Sequence, residues 1–105
     1  MKITKFRDLT LIYINEDQIM AIACDSSGGI GNKEFDVVKV EPEIVGFYTT
    51  QVALMEILAI GAEPITVVNA LAVEMDPSGK RINQGVKKAI KPLRLAEDKI
   101  ITGTT

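Results

Sequence analysis

Two segments of this chain lack the alternation of apolar and polar residues that a half-exposed strand carries. Ile19-Met20-Ala21-Ile22-Ala23-Cys24 is apolar at every position, and Ile65-Thr66-Val67-Val68-Asn69-Ala70-Leu71-Ala72-Val73-Glu74 is nearly so. Both are short, and the second is rich in β-branched residues, so both read as strands. Strands of this kind are covered on both faces, by a helix, a second sheet or a partner subunit. A chain of 105 residues offers one domain to do that covering, with a radius of gyration of about 13 Å if it folds alone.

The remaining elements follow from local pattern. Leu9-Thr10-Leu11-Ile12-Tyr13-Ile14 reads as a strand, and Asn15-Glu16-Asp17 as the turn that closes a hairpin onto residues 19–24. Residues 25–33, Asp25-Ser26-Ser27-Gly28-Gly29-Ile30-Gly31-Asn32-Lys33, form a loop, because three glycines in four positions do not sustain a regular element. Phe35 to Val40 reads as a short extended segment. Glu41-Pro42-Glu43 opens a helix that runs to about Ile60. Ile44, Tyr48, Val52, Met55 and Leu58 share one broad arc of it, and Gly46, Thr49, Thr50, Ala53 and Glu56 the other. A helix so poor in charge is expected to be largely buried, with its small-residue face free for close packing. After the strand 65–74, a second helix is expected over residues 80–91, amphipathic and basic on its outer face, ended by Pro92. Lys99-Ile100-Ile101-Thr102 reads as a last strand.

The order is therefore β-β-α-β-α-β, an α/β (α+β) domain over residues 1–105. The expected architecture is a mostly antiparallel four-stranded sheet with two helices on one face. One layer of helices leaves the other face of an all-apolar sheet open, and that patch predicts a homodimer through the sheet. The chain stops soon after its last strand, which reads as one domain of a longer protein.

Several function classes are excluded by residue counts. With no histidine there is no Ser-His-Asp triad, no Cys-His dyad and no imidazole metal ligand. One cysteine, Cys24, rules out an internal disulfide and a cysteine-rich zinc site; it reads as a core thiol. A metal site must then use oxygen ligands, which favours magnesium or calcium. Twelve basic against fourteen acidic residues, net −2, argue against nucleic acid as a partner. The longest charge-free run, Ile44 to Met55, is twelve residues, short of the 18–20 or so that span a membrane. No signal-peptide pattern follows Met1, so a cytoplasmic location is the default.

Three features could carry chemistry. In the loop 25–33, Gly28, Gly29 and Gly31 let backbone N–H groups face a phosphate, Lys33 can add positive charge, and Asp25 can hold a magnesium ion that bridges phosphate oxygens. It is neither a Walker A loop nor a dinucleotide fingerprint, and a wide polar turn is its plain alternative. Glu56 is the single charge between Ile44 and Ala62. It must face water, pair with a cation or hold a metal. Lys80, Arg81, Lys87, Lys88, Lys91 and Arg94 could meet an anionic partner, although such a run is more often a solvated face.

The loop 25–33 resembles the Asp-Gly-Val-Gly-Thr-Lys loop of aminoimidazole-ribonucleotide (AIR) synthases, with an insertion. Val52-Ala53-Leu54-Met55-Glu56-Ile57-Leu58-Ala59-Ile60-Gly61-Ala62-Glu63-Pro64 resembles that family's helix, in which an Asn-Asp pair precedes an apolar turn and Gly-Ala-x-Pro. The superfamily also holds thiamine-monophosphate kinase, selenophosphate synthetase and a hydrogenase maturation factor, and the variant loop looks closest to the α-ribazole kinase branch. The resemblance spans residues 18–105.

It implies the PurM-like N-terminal domain of a two-domain, ATP-dependent enzyme that dimerises by pairing two sheets into a barrel. ATP would lie near that interface, with magnesium held by acidic residues and a small molecule as phosphate acceptor. By motif position, Asp25 takes the place of the loop aspartate, Lys33 of the loop lysine and Glu56 of the helix aspartate. Glu56 is longer than that aspartate, and Met55 replaces the asparagine. The domain alone is expected to have no catalytic activity. The competing class is a non-catalytic dimerisation module whose glycine loop is only a turn.

Overall fold

The computed structural model describes residues 1–104; Thr105, the last residue of the expected domain, lies outside them. The hairpin forms as its turn residues predict. Strand β2, Leu9–Tyr13, pairs antiparallel with β3, Ile19–Ile22, in the register Tyr13 to Ile19 and Thr10 to Ile22. The Asn15 side chain closes the turn by accepting from the Asp17 amide at 2.8 Å and donating to Gln18 at 3.2 Å. A further strand, β1, Lys2–Phe6, pairs with the other edge of β2 through the turn at Arg7 and Asp8, where Arg7 has φ 55°. Lys2-Ile3-Thr4-Lys5-Phe6 has no period-two alternation to mark it as a strand; its pairing with β2 is what decides it.

The rest of the chain is two very short strands and a β-α-β unit. β4, Ile30–Gly31, and β5, Val38–Lys39, form a two-residue parallel ladder inside the glycine segment. Helix α1 spans Pro42–Ala59, with Pro42 in its first turn. β6, Val67–Leu71, leads through a wide turn, Met75–Gly79, into α2, Lys80–Ile90. A short 3-10 turn, Glu97–Lys99, then precedes β7, Ile100–Thr104.

The expected single, mostly antiparallel four-stranded sheet is not what forms. The described residues make three separate ladders: β1-β2-β3 antiparallel, β4-β5 parallel and β6-β7 parallel. The reason lies in the connections. After Ile22 the chain enters the glycine loop instead of returning to the edge of β3. Between β6 and β7, α2 forms a crossover, and a crossover of that length returns the chain parallel to its start. The fold is a mixed α/β domain with two helices.

Nor do the helices lie together over one sheet; they pack chiefly on each other. Gly46 of α1 faces the backbone carbonyl of Ile82, and Gly85 of α2 faces the carbonyl of Glu43 and the amide of Phe47. A Cβ at either glycine would meet backbone, so the helices approach as closely as they do only because both positions lack one. The buried residues of α1 are Pro42, Gly46, Thr50 and Leu54, and those of α2 are Gly85, Val86, Ala89 and Ile90. The small-residue face of α1 is thus its inner face, as its composition allowed. The broad arc is a correction: Ile44, Tyr48, Val52, Met55 and Leu58 are all exposed, Met55 to 60%.

The two apolar-rich strands are likewise covered on one face at most. Along β6, burial alternates, with Val67, Asn69 and Leu71 inward and Val68 71% exposed. Asn83 of α2 ties the covered face together, accepting from Asn69 Nδ2 at 2.5 Å and donating to Thr102 Oγ1 at 3.2 Å. In β3, Ile19, Met20 and Ile22 are exposed, and Cys24, expected in the core, is exposed and free. The chain is elongated, 49 × 25 × 24 Å, with a radius of gyration of 14.8 Å rather than about 13 Å.

Candidate nucleotide and metal site

The glycine loop lies against α1 and is tied at three points. Near its start, Ser27 Oγ and Thr49 Oγ1 of α1 are 2.6 Å apart. In its middle, the Gly29 carbonyl accepts from the amides of Val37 at 2.7 Å and Val38 at 3.0 Å, and the Gly31 carbonyl accepts from Val40 at 3.0 Å. At its end, Lys33 Nζ donates to Glu74 Oε1 at 2.6 Å. Gly29 has φ 70°, a conformation glycine adopts without strain, and a Cβ at Gly31 would stand 2.7 Å from Asp36 Oδ2. Among the described residues, the amides of Ser27, Gly28 and Gly29 donate to no protein acceptor.

The Ser27–Thr49 contact sets where the loop sits. Thr49 and Glu56 are seven residues apart on α1, close to two full turns, so they share one face about 10 Å apart along the axis. The loop therefore crosses the face of α1 that carries Glu56. Asp25 follows the last residue of β3 by three positions. Ile22 lies opposite Thr10, so the chain leaves β3 at the end of the sheet where the turn between β1 and β2 stands. Asp25 is exposed and its Oδ1 accepts from the Ser26 amide at 2.9 Å.

Glu56 is half-buried, not the solvated edge residue that a lone helix carboxylate usually is. Together with Phe6, Arg7, Asp8, Leu9, Leu11, Ala59 and Ile60 it lines an open hollow of about 620 Å³ beneath that same turn. Its Oε2 is buried with no hydrogen-bond partner among the described residues. A buried carboxylate oxygen without a donor is costly, and a water molecule or a cation in the hollow would satisfy it. No group of three or more acidic or thiol side chains converges among the described residues, so Asp25 and Glu56 form no closed cage.

Sequence reasoning missed two residues here. Asp8 lines the same hollow as Glu56, and nothing in the local pattern marked it. Glu74, at the end of the expected strand 65–74, is the partner of Lys33. Its carboxyl is held down to about 2, first by the hydrogen bond from Lys33 and next by the one from Ser78 Oγ at 2.5 Å. The basic face of α2 is partly neutralised: Lys80 pairs with Asp76 at 3.4 Å, Arg81 with Glu41 and Glu43, and Lys87 with Glu97 at 3.7 Å. Arg81 also holds the Glu43 carboxyl below its ordinary value. This face is a solvated surface, as such runs usually are.

Comparison with known families decides the assignment. The family model described as AIR synthase related protein, N-terminal domain, matches residues 7–105. The chain belongs to this family. The match covers the hairpin, the glycine loop, both helices and the last strand, and so confirms the resemblance carried by the loop 25–33 and by Gly61-Ala62-Glu63-Pro64. No curated protein and no solved structure matches the chain significantly, so the assignment rests on the family match.

Proposed function

We propose that this chain is the ATP- and magnesium-binding, dimer-forming domain of a two-domain, ATP-dependent small-molecule kinase or synthetase of the cytoplasm, on the α-ribazole kinase branch. The observation that carries the reading is the family match over residues 7–105, since members of that family are typically ATP-dependent synthetases that use magnesium. Phosphoryl transfer asks for positioned phosphates and charge neutralisation more than for covalent chemistry, which suits a site without histidine. The amides of Gly28 and Gly29 and the turn at Gly31 would cradle phosphate oxygens, with Lys33 supplying charge. Asp25 and the unpartnered oxygen of Glu56 would hold magnesium, which neutralises phosphate charge when bound. The phosphate acceptor is a small molecule, and the 105 residues alone are expected to turn nothing over. Neither nucleic acid nor a membrane is a partner in this reading; no helix among the described residues is long and apolar enough to cross a bilayer.

The homodimer has its own support. A compact monomer of 11.4 kDa exposes roughly 5,800 Å². This chain exposes 7489 Å², and its surface carries Ile19, Met20, Ile22, Val68 and Ile101. The excess exceeds the roughly 800 Å² that each partner of a standard interface covers.

Calorimetric titration with ATP, with and without magnesium, tests the reading. Magnesium-dependent binding is expected. A dimer that binds no nucleotide under either condition would instead be the non-catalytic module, whose support is the internal wiring of the glycine loop through the Gly29 and Gly31 carbonyls.

A further inference from the structure

The lysine best placed to meet a phosphate is already engaged. Lys33 Nζ is 2.6 Å from Glu74 Oε1, and that same oxygen accepts from Ser78 Oγ at 2.5 Å. The two halves of the contact differ in rigidity. Ser78 is buried in the turn Met75–Gly79 that enters α2, so Glu74 is fixed from its own side. Lys33 stands at the end of a loop with glycines at 28, 29 and 31, carried on a flexible four-carbon stem. About half of each side chain is open to solvent, so the pair is reachable by a dissolved anion and weak enough to be displaced.

We infer that Lys33, Glu74 and Ser78 form an ionic latch, which holds the glycine loop against the junction of β6 and α2 and opens when an anionic ligand takes Lys33 from Glu74. The part that concerns nucleotide rests on the function proposed above; the part that concerns the loop does not. The latch acts on more than one side chain. The Lys33 backbone amide donates to Asp36 Oδ2 at 2.9 Å, and the Lys33 carbonyl accepts from the Asp36 amide at 3.2 Å and from Lys39 Nζ. Releasing Lys33 therefore loosens the segment that pairs with the loop. Glu74 is a positioning residue here, setting how much of the Lys33 charge is available to a ligand.

The test compares the wild-type chain with Glu74→Gln, which keeps the side-chain shape and an oxygen for Ser78 but removes the charge. Hydrogen exchange is read at the amides of Asp36, Val37, Val38 and Val40, whose acceptors are the carbonyls of Lys33, Gly29 and Gly31. In Glu74→Gln these amides should exchange about three to ten times faster, those of α1 and α2 staying unchanged, and magnesium-ATP should bind about fivefold more tightly. Ser78→Ala should shift both readouts the same way by less. Unchanged exchange would overturn the latch. Faster exchange together with ATP binding that is measurable in the wild-type chain and unchanged or weaker in Glu74→Gln would also overturn it, since Glu74 would then be presenting Lys33 and not withholding it. Inorganic tripolyphosphate separates the two proposals. If it binds more tightly to Glu74→Gln while ATP binds neither protein, the latch stands and the nucleotide reading fails. If neither anion binds either protein, both fail.

Discussion

Lys33 and Glu74 meet at 2.6 Å across 41 residues of sequence, joining the end of the glycine loop to the strand that leads into α2. The charged groups at this contact are the ammonium and the carboxylate alone, with the neutral Ser78 hydroxyl as third member. The Glu74 carboxyl titrates at about 2 in the folded chain against its ordinary 4.5. A carboxyl depressed by folding contributes stability that is complete above 4.5 and is lost as pH falls toward 2. An NMR titration of the Glu74 side-chain carboxyl should give a midpoint near 2, and Lys33→Met should return it toward 4.5.

The helix pair depends on two glycines. Gly85→Ala places a methyl group against the Glu43 carbonyl, and Gly46→Ala places one against that of Ile82. Neither backbone can move without separating the helices, so each change should destabilise by about 2 kcal/mol. Thermal unfolding should show a midpoint lower by roughly 10 °C. Gly28→Ala, with open space around it, serves as the control and should stay within about 0.5 kcal/mol of wild type.

Sedimentation at micromolar concentration should find a dimer. Ile19→Glu adds a charge to an exposed position of β3, where the isolated chain tolerates it but an apolar interface does not. It should raise the dimer dissociation constant at least tenfold, on the order of what burying one poorly compensated polar group costs, with circular dichroism unchanged. A wild-type chain that sediments only as a monomer would remove the sheet-to-sheet dimer.

Asp25→Asn and Glu56→Gln keep shape and remove charge. In the complete enzyme each should cost roughly a hundredfold or more in rate, as loss of one electrostatic stabiliser does. Each should also raise the magnesium concentration needed for nucleotide binding. Glu56→Gln should leave stability equal or improved, because its Oε2 has no partner to lose. If neither variant changes the magnesium dependence, the two carboxylates do not serve a common metal.

The local elements and the family are legible in the order of the residues. Hairpin, glycine loop, both helices and the strands β6 and β7 follow from patterns a few residues long, in which turn chemistry, helix entry at Pro42 and apolar runs agree with one another. The absence of histidine decided which catalytic chemistries were open, and the small residues at 46 and 85 made a close helix crossing available. Which surfaces meet depends instead on long-range packing. Whether the small or the large arc of α1 turns inward depends on what α2 presents, and Gly85 facing the Glu43 carbonyl selected the small arc. β6 is apolar on both sides, yet its burial alternates because only one layer lies over it. The Lys33–Glu74 contact, Asp8 in the hollow of Glu56 and the separation of the strands into three ladders had no local signature. Each depends on where distant parts of the chain are brought together, and side-chain periodicity carries no information about that.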